Sequence, residues 1–596
     1  MEPVDFYNQQ IQNLETDLGK LQKQKSYFGW LRFGTIAAII IVVYILWSIG
    51  ILYILIVCVV LLAIFVRLIH ADLENKGAIK YTKLLININK NELKYLVGDY
   101  YDFDNGNQYI PKEHLYANDL DIFGRASLFQ YLNRSTSEMG SNCVAEYLQY
   151  PAPPDLIIKR QLAIEELSGE PQWRQNLQAL GGEKQILFST KHRLENWMQE
   201  VPVFTKYKLW KWLRYLLPCI ILSVAVLYSF NIVGSGLLYF FLLVFAIIAY
   251  QINKIVSPIH EKLSKIADEL DVLSVSIMHI ETGKFKNTLL QELQMNFLQQ
   301  DIKASQEIKH LKKILDKLDL RYNLMLSAPL NILLLWNLQQ ILDLEKWKSG
   351  HQKNINIWFE ALGHFEALNS FATLYFNEPD WIFPSILPKY FFIEGKEIGH
   401  PLILKNKRVN NNIDIQNAGE LMLVTGSNMA GKSTYLRSIG VNVVLAMAGA
   451  AVCAKTFKVS HVQVLSSMRI TDNLAESTST FYAELKKLKI IIEKVNNGEK
   501  VFILLDEILR GTNSLDRHTG SVALIKQLIK HNAVAVIATH DLDLAKLKDD
   551  YPKNIINYHF DVQVSNDELF FDYRLNPGVC TSLNASILMK KIGIEL

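Results

Sequence analysis

The chain has 596 residues, which is enough for several domains with buried cores, so folding requires neither a disulfide scaffold nor a zinc site. Lys and Arg number 62 against 59 Asp and Glu, a net charge of +3 that excludes a strongly basic nucleic-acid coat and an acidic disordered tail. The five cysteines contain no CxxC pair, which argues against a metal ribbon and is typical of a reducing compartment. Half of the residues are hydrophobic and only 20% are charged, so the apolar residues must be concentrated somewhere.

Two long blocks contain no charged residue: 33–66, with 34 residues, and 215–253, with 39. A single helix of 34 residues would be about 50 Å long, against a hydrocarbon core of about 30 Å. Each block also contains glycine near its middle, at Gly50 in the first and at Gly234 and Gly236 in the second. We therefore predict two helical hairpins that enter a membrane, each made of two spans of roughly 16–17 residues. A pair of helices buried in a protein core is the alternative.

The charges around these blocks predict their orientation. Positive residues flank both blocks, whereas the turns inside them carry no charge: Lys20, Lys23, Lys25, Arg32, Arg67 and Lys76 around the first, and Lys206, Lys208, Lys211, Arg214, Lys254 and Lys262 around the second. Because positive residues collect on the cytoplasmic side, we expect a multi-pass protein of the inner or plasma membrane with both termini cytoplasmic. A polar segment of 32 residues comes first, which argues against a cleaved signal peptide.

Outside the hydrophobic blocks, the chain changes from a helical to an α/β pattern. Residues 259–277 carry apolar side chains at alternating spacings of four and three, which predicts a helix with a coiled-coil-like seam, either free or packed inside an all-α domain. Helical periodicity continues from about 289 to 374, and Pro379, Pro384 and Pro388 then mark a boundary. Beyond it, short apolar runs at 421–424, 501–505 and 533–538 alternate with helical stretches, as in a parallel sheet with helices on its faces.

The strongest local motif follows the first of these strands. It fits the phosphate-binding pattern GxxxxGK[ST] and is read as Gly426, Ser427, Asn428, Met429, Ala430, Gly431, Lys432 and Ser433, with Thr434 next. The glycines allow backbone N–H groups to face phosphates, and the following helix, from about 433 to 450, adds its positive end. We expect Lys432 to reach the β and γ phosphates of ATP and Ser433 to bind Mg²⁺.

The second and third apolar runs end in polar residues. After the second come Asp506 and Glu507, for which we predict Mg²⁺ binding and polarisation of the attacking water, respectively. After the third come Thr539 and His540; the histidine is either structural or a contact to the γ-phosphate, and its position favours the second role. Between the two motifs, a hydroxyl-rich segment at 471–480 precedes a helix, and an N-cap is its simplest role.

Taken together, these motifs resemble the MutS family, the ATPases of DNA mismatch repair. The family's sequence TGPNMGGKST is similar to residues 425–434, its Asp-Glu strand and glycine-rich turn to 506–514, its ATH switch to 538–540, and its closing strand and loop to 571–582. The family's STF loop, which donates a serine across a dimer, resembles residues 479–481. The resemblance therefore implies a homodimer in which Ser479 of one chain contacts the nucleotide of the other, and an α/β P-loop domain of the ABC type with a mainly parallel sheet.

The resemblance extends upstream, with clear departures. Residues 119–140 look like the start of the family's helical core, and 366–372 look like the helix that returns to the ATPase domain. The N-terminal mismatch-reading and connector domains have no counterpart before the core, and the second hydrophobic block interrupts it. Leu509 stands where the family usually has glycine, and Ser477 and Thr478 replace a glycine-containing pair.

We accordingly predict a multidomain protein with an all-α core and lever region, two transmembrane hairpins and a C-terminal ATPase domain. The predicted units are an amphipathic helix (1–32), the first hairpin (33–66), the first part of the core (67–208), the second hairpin (209–254), the lever and second part of the core (255–384) and the ATPase domain (385–596).

The predicted function is a membrane-anchored MutS-like ATPase that converts ATP and water to ADP and phosphate with Mg²⁺, and whose ligand is DNA that is branched or looped rather than mismatched. The alternative is a membrane-associated ATPase that acts on a protein partner or on membrane organisation. Transport of the ABC type is a third interpretation, weakened because the usual LSGGQ signature is missing.

Overall fold

The computed structural model describes residues 2–47, 50–111, 114–299, 302–427, 430–468, 480–561, 563–565 and 568–580. A helical region comes first and an α/β region second, as the sequence predicts.

The chain begins with two very long antiparallel helices, α1 (Pro3–Leu46) and α2 (Ile51–Leu96), which pack against each other. Pro3 occupies the first turn of α1, where its missing N–H has no intrahelical acceptor to lose. The predicted boundaries at 32/33 and 66/67 fall inside these helices, because nothing at either position breaks a helix. The apolar parts of α1 and α2 are not a buried core pair, since none of the most apolar 18-residue window of either helix is buried.

Short helices then build the first half of the helical body. Their bounds are α3 (Leu128–Leu132), α4 (Glu138–Gln149), α5 (Pro154–Ser168), α6 (Pro171–Gly181) and α7 (Phe188–Gln199). Ser127 and Ser137 cap the first two, each side chain accepting a hydrogen bond from a backbone N–H in the first turn.

The second uncharged block forms another helix pair, α8 (Leu209–Ser229) and α9 (Ser235–Ser264), with the break at the predicted place. In all, four helices in the described part of the chain are long and apolar enough to cross a membrane: α1, α2, α8 and α9.

The seam at 259–277 is divided between two helices. The prediction of one helix there is wrong, because the chain leaves the helical conformation at Ile266 (φ −111°, ψ 3°) and α10 begins at Ala267. Leu263, Ile266, Leu270, Leu273 and Ile277 are nevertheless all buried. The spacing therefore identified the buried side chains but not the break, and these helices pack inside the helical body rather than forming a free coiled coil.

The remaining helices complete the lever and return the chain to the second region. They are α10 (Ala267–Glu281), α11 (Thr288–Met295), α12 (Ala304–Asp319), α13 (Leu324–Leu334), α14 (Trp336–His351) and α15 (Asn354–Asn377), with the two-residue strands β1 (Leu298–Gln299) and β2 (Ile302–Lys303) before α12. Most of α15 is buried, and it packs on α4, α5 and α7, so it is the central helix of the body.

The second region contains a four-stranded and a six-stranded sheet. Its elements are β3 (Ser385–Leu387), β4 (Ile393–Ile398), β5 (Asn411–Ile415), β6 (Leu421–Thr425), α16 (Lys432–Ala448), β7 (Thr456–Ser460), β8 (Gln463–Ser467), α17 (Thr480–Asn496), β9 (Val501–Asp506), α18 (Ser514–Lys530), β10 (Val534–Thr539), α19 (Leu547–Asp550), β11 (Ile555–Phe560), β12 (Gln563–Ser565), β13 (Glu568–Phe570) and β14 (Leu575–Pro577).

The six-stranded sheet, in the order β14-β11-β6-β10-β9-β8, positions the site. All of its pairs are parallel except that between β11 and β14. Alternate side chains of β6 enter different clusters, Met422 and Val424 on the face toward the helical body and Leu421 and Leu423 on the other, so both faces of the sheet are covered. In this register Thr425 lies beside Thr539, and Asp506 beside Ala538, at one edge of the sheet.

Candidate active site

The loop between β6 and α16 depends on two glycines with positive φ, Gly426 (147°) and Gly431 (102°). A Cβ at Gly426 would lie 2.9 Å from the carbonyl oxygen of Phe560, and a Cβ at Gly431 would lie 3.0 Å from the ring of Tyr573. Other residues would therefore be strained in conformation and crowded in space. The loop leads directly into the N-terminus of α16, where backbone N–H groups have no intrahelical acceptor and favour an anion.

Lys432 begins α16 and turns back over this loop. Its Nζ donates hydrogen bonds to the carbonyl oxygens of Gly426 (2.8 Å) and Ser427 (2.9 Å). Burial lowers the pKa of Lys432, while the nearby carboxylates of Glu507 and Asp506 act in the opposite direction. The ammonium is thus held at the phosphate-binding loop by neutral acceptors, which a charged phosphate would replace favourably.

Asp506 and Glu507 end β9 beside this lysine. The side chain of Asp506 is 4% exposed, and among the described residues its Oδ1 has no hydrogen-bond partner. Burial raises the pKa of Asp506, and a hydrogen bond with Ser433 acts to lower it. A buried carboxylate oxygen without a donor, next to a serine hydroxyl, suits a hard cation that takes oxygen ligands. Ser433 and Asp506 therefore fit Mg²⁺.

Glu507 is held in a different way from Asp506. Its Oε2 lies 3.0 Å from Nε of Arg510, and its Oε1 lies 3.7 Å from Nδ1 of His540 at the end of β10. Its backbone has a positive φ of 51°, and its N–H donates to the carbonyl of Ala538 (2.9 Å). This strained position turns the carboxylate away from the strand direction and toward the edge where the phosphate loop lies.

The loop after Glu507 is fastened by a buried acid on α17. Glu484 accepts a hydrogen bond from the N–H of Leu509 (2.5 Å), and Leu509 itself has a positive φ of 59°. Burial raises the pKa of Glu484, against the hydrogen bonds from the backbone of Leu509 and Arg510. The conformation at Leu509 is one that favours glycine, so the leucine keeps a glycine-like backbone at a cost in strain.

A cleft of about 560 Å³ lies beside the phosphate-binding loop. Lys432, Ser433, Glu507 and Arg510 line one part of it, and the other part is lined by Lys407, Val409, Asn411 and Tyr573, among others. Asn411 fixes the segment that carries Tyr573, since its Nδ2 donates to the carbonyl of Tyr573 (2.9 Å) and its Oδ1 accepts from the N–H of Leu575 (2.8 Å). The cleft thus has an ionic part and a part that mixes polar, aliphatic and aromatic side chains, which is compatible with a phosphate-bearing ligand such as a nucleotide.

Comparison with known proteins agrees with this geometry. Residues 422–590, which contain the loop, both carboxylates and His540, match the model of MutS domain V. This part of the chain is similar to MutS domain V, and we refer to it as domain V. "MutS protein homolog 4" of Mus musculus is 33% identical over 200 residues, covering 32% of this chain and 20% of that protein. "DNA mismatch repair protein MutS" of Ehrlichia chaffeensis is 34% identical over 227 residues, covering 38% of this chain and 28% of that protein.

A plant relative gives the same result: "DNA mismatch repair protein MSH4" of Arabidopsis thaliana is 32% identical over 196 residues, covering 32% of this chain and 24% of that protein. The chain spans only 20–28% of the length of these three curated relatives.

Domain V brings most of the predicted site residues together. Ser427, Gly431, Lys432, Ser433, Thr434 and Glu507 line the cleft, Gly426 and Ala430 lie in the same loop, and Asp506 and His540 lie at the adjacent edge of the sheet. Asn428, Met429 and Ser479 lie outside the described residues, as does the rest of the hydroxyl-rich segment up to 479. Phe481, which follows that segment, lies against the turn at Gly511, where an added Cβ would meet it at 2.6 Å.

Sequence reasoning missed three side chains of domain V: Arg510, Glu484 and Tyr573. Arg510 was visible only as part of a glycine-rich turn, and no spacing rule connects Glu484 with Leu509, which follows it by 25 residues. Tyr573 reaches the cleft because β14 pairs with β11, which in turn pairs with β6. A pattern of strands indicates that a sheet exists, but it does not give this order.

Proposed function

We propose that this protein is a membrane-anchored, MutS-like ATPase. The observation that carries the proposal is the convergence of Lys432, Ser433 and Glu507 on one cleft of domain V, with Asp506 directly before Glu507 at the end of β9. MutS proteins are ATPases, and the domain V of this chain retains the residue types that the reaction needs.

The proposed reaction divides the work between these side chains. Lys432 exchanges its two loop carbonyls for the β and γ phosphates. Ser433 and Asp506 would hold Mg²⁺, which would supply positive charge beside the phosphate oxygens. Glu507 polarises the attacking water, and His540, 3.7 Å from Glu507, contacts the γ-phosphate. Arg510 contacts Oε2 of Glu507, so Oε1, on the side of His540, can accept a hydrogen bond from water while the ion pair is kept.

Two chains form the complete site in this proposal. Ser479 of one chain contacts the nucleotide of the other, so that ATP binding closes a head-to-tail homodimer and hydrolysis reopens it. Support comes from the resemblance of residues 479–481 to the family's STF loop, and from the contact between Phe481 and the turn at Gly511, close to the catalytic loop.

The anchor consists of α1 and α2 together with α8 and α9. These helices are long and apolar enough to cross a membrane, and no residue in the most apolar window of α1 or α2 is buried. Positive residues at the outer ends of both pairs support a multi-pass arrangement in the inner or plasma membrane, with both termini and the domain V in the cytoplasm.

DNA is the proposed ligand. Two of the three relatives above are DNA mismatch repair proteins by name, and the third is a MutS homolog by name. The proposed form is branched or looped DNA, as expected from the sequence, and the match to the MutS family model lies in domain V, residues 422–590. The anchor favours a second candidate, an ATPase that acts on a protein partner or on membrane organisation. The two candidates are separated by measuring how the full chain, in detergent, binds duplex and branched DNA at increasing salt concentration. The absence of binding above background at low salt would exclude DNA as the ligand.

ATP hydrolysis by the purified full chain tests the proposal itself. Lys432→Ala should abolish nucleotide binding, whereas Glu507→Ala should bind ATP and lose at least about 100-fold in turnover, the usual scale for removing a catalytic group. Glu493→Gln, an exposed change on α17, is the matched control and should keep full activity. Normal turnover of Glu507→Ala would show that this carboxylate does not act in hydrolysis.

A further inference from the structure

A third apolar segment lies beside the second helix pair. Residues 322–342 contain no charge, a run of 21 residues that lies outside both blocks described above. The segment is not one straight helix, because Leu335 adopts φ 44° and bends α13 by 76° relative to α14. The 11 residues of α13 extend about 16 Å, half the thickness of a hydrocarbon core, so α13 alone cannot cross a bilayer.

The outer face of α13 is apolar and exposed. Met325 is 87% exposed, Leu326 is 47% exposed, and Tyr322, just before the helix, is 67% exposed. The opposite side packs on α8 and α9, the second pair of candidate membrane helices. An uncharged, exposed surface of this kind is unusual where a protein meets water, and it is continuous here with two helices that also expose many large apolar side chains.

Two polar contacts to α9 fix the position of α13 along that helix. Before α13, Arg321 donates to the hydroxyl of Ser257 on α9 (2.6 Å). After it, Asn337 donates to Oδ1 of Asn253 on α9 (3.1 Å). Ser257 and Asn253 are four residues apart, about 6 Å along α9. Both ends of α13 are therefore held at nearly the same height along the axis of α9, within this one turn.

That level coincides with the cytoplasmic end of the uncharged block, since Lys254 follows Asn253 directly. The same level is marked on α8 by Arg214, which donates to Gln339 (2.8 Å) and Asp343 (2.9 Å) of α14. Trp212 and Tyr215, both exposed, flank Arg214. Aromatic and basic side chains together are typical of the region where lipid headgroups meet acyl chains.

We infer that α13 is an interfacial membrane helix, with Tyr322, Met325 and Leu326 inserted into the cytoplasmic leaflet beside α8 and α9. This inference rests on the proposed membrane anchor and adds a fifth contact with the bilayer, at the turn that joins α12 to α14. The partner is a phospholipid leaflet with anionic headgroups, which the surrounding lysines at 206, 208, 211 and 254 would attract. Movement of α12 and α14 would then act directly on the leaflet.

Quenching of a fluorescent amino acid introduced by amber suppression tests the inference in the full chain. The protein is reconstituted in vesicles of phosphatidylcholine and phosphatidylglycerol, with the label at Met325, at Leu243 within the apolar part of α9, or at Met295, which is exposed on α11. We expect acyl-brominated lipids to quench the labels at Met325 and Leu243, and aqueous iodide to quench the label at Met295 several-fold more than that at Met325.

The three positions separate the two ways in which the idea can fail. If Leu243 is quenched by brominated lipid while Met325 is quenched by iodide as strongly as Met295, the interfacial helix is wrong and the anchor stands. If brominated lipid does not quench Leu243, the proposed anchor itself is wrong, and the inference falls with it. In Met325→Glu/Leu326→Glu, a label at Tyr322 should change from lipid to iodide quenching, whereas Met325→Leu should leave it in lipid; an unchanged label in the double variant would also overturn the inference.

Discussion

The hydroxyl of Tyr7 donates a 2.6 Å hydrogen bond to Oδ1 of Asn377, a residue 370 positions later in the chain. Tyr7 lies in the first turns of α1, and Asn377 is the last residue of α15, directly before the α/β region. Asn377 also donates to Glu92 near the end of α2 (2.8 Å), and Glu92 forms two hydrogen bonds with the buried guanidinium of Arg134 (2.6 and 3.0 Å). Both helices of the first pair are thus joined to the end of α15 by one buried polar network.

Removal of the Tyr7 hydroxyl should weaken this junction. In Tyr7→Phe, Oδ1 of Asn377 loses its donor in a place that is 6% exposed, and leaving a buried acceptor unsatisfied costs about 1–3 kcal/mol. We expect a lower free energy of unfolding of the full chain in detergent, measured by thermal or urea denaturation. Tyr27→Phe, at a 62% exposed position of the same helix, is the control and should not change it. Equal stability of both variants would show that the hydrogen bond contributes nothing.

The loop after Glu507 provides a second prediction, on activity rather than stability. Glu484→Gln retains an acceptor for the N–H of Leu509 but replaces a carboxylate by a weaker acceptor whose amide group needs partners of its own. We expect kcat for ATP to fall several-fold because Glu507, two residues before Leu509, is less precisely placed, with KM for ATP nearly unchanged. Lys489→Gln, an exposed change on the same helix, distinguishes a local effect on the loop from a general effect on α17. An increased KM with normal kcat would contradict this role of Glu484.

The phosphate-binding loop and the strands around it could be predicted from the sequence because their signals are local. The glycines at 426 and 431 are needed for backbone conformations within the loop itself, and both indeed have positive φ. Leu509 shows the same physics: it occupies a position where the family usually has glycine, and its φ of 59° explains that preference. In each case the chain's own backbone, not a distant contact, determines which residue fits.

The rest of the site and the fold could not be predicted in this way, because they depend on contacts across the chain. Glu484 and Tyr573 reach the cleft only through the packing of α17 and the order of the strands. Similarly, hydrophobic spacing identified Leu263 and Leu270 as buried but not the break at Ile266 between them. The segment at 322–342 was missed as a separate apolar unit because a continuous helical pattern does not reveal the bend at Leu335.

Labelling from outside the membrane tests the orientation of the anchor. Gly50 precedes α2 and Gly236 lies in the first turn of α9, so both belong to the turns of the helix pairs. Single cysteines at these positions, in Gly50→Cys and Gly236→Cys, should react with an impermeant maleimide in intact cells. Arg67→Cys, at the predicted cytoplasmic end of the first block, should react only after permeabilisation. Reaction of the first two from the cytoplasmic side alone would reverse the predicted topology.

Ser479 lies outside the described residues, yet its proposed role makes a distinct kinetic prediction. Ser479→Ala should lower ATP turnover without weakening the binding of nucleotide to the chain's own Lys432 and Ser433. If the serine acts in trans, a mixed dimer of one Ser479→Ala chain and one Glu507→Ala chain should hydrolyse ATP at one of its two sites. That site combines Glu507 of the first chain with Ser479 of the second, whereas the other site lacks both residues. Unchanged turnover of Ser479→Ala alone would leave the serine as an N-cap of α17.

The imidazole of His400 predicts a pH dependence of stability. Burial lowers the pKa of His400 from 6.5 to about 4, and the positive charges of Arg437 and Arg408 act in the same direction. Its Nδ1 accepts a hydrogen bond from the N–H of Leu402 (3.3 Å), which a protonated ring could not do. Since the unfolded chain takes up this proton near pH 6.5 and the folded chain only near pH 4, the contribution of His400 is complete above pH 6.5. It is lost progressively as the pH falls through that window.

The variant His400→Asn isolates this contribution, because the asparagine oxygen can replace Nδ1 as acceptor and does not titrate. We expect the unfolding free energy of the parent, measured in detergent from pH 7.5 to 4.5, to decline more steeply than that of the variant below pH 6.5. The difference in unfolding free energy between parent and variant has an upper limit of about 3 kcal/mol, because the pKa falls from 6.5 to about 4 on folding. Solvent near the partly exposed ring makes this difference smaller. His531→Asn, a change in the turn after α18, controls for the loss of any histidine. If the parent and His400→Asn lose stability in parallel, the neutral imidazole of His400 is not a source of the acid sensitivity.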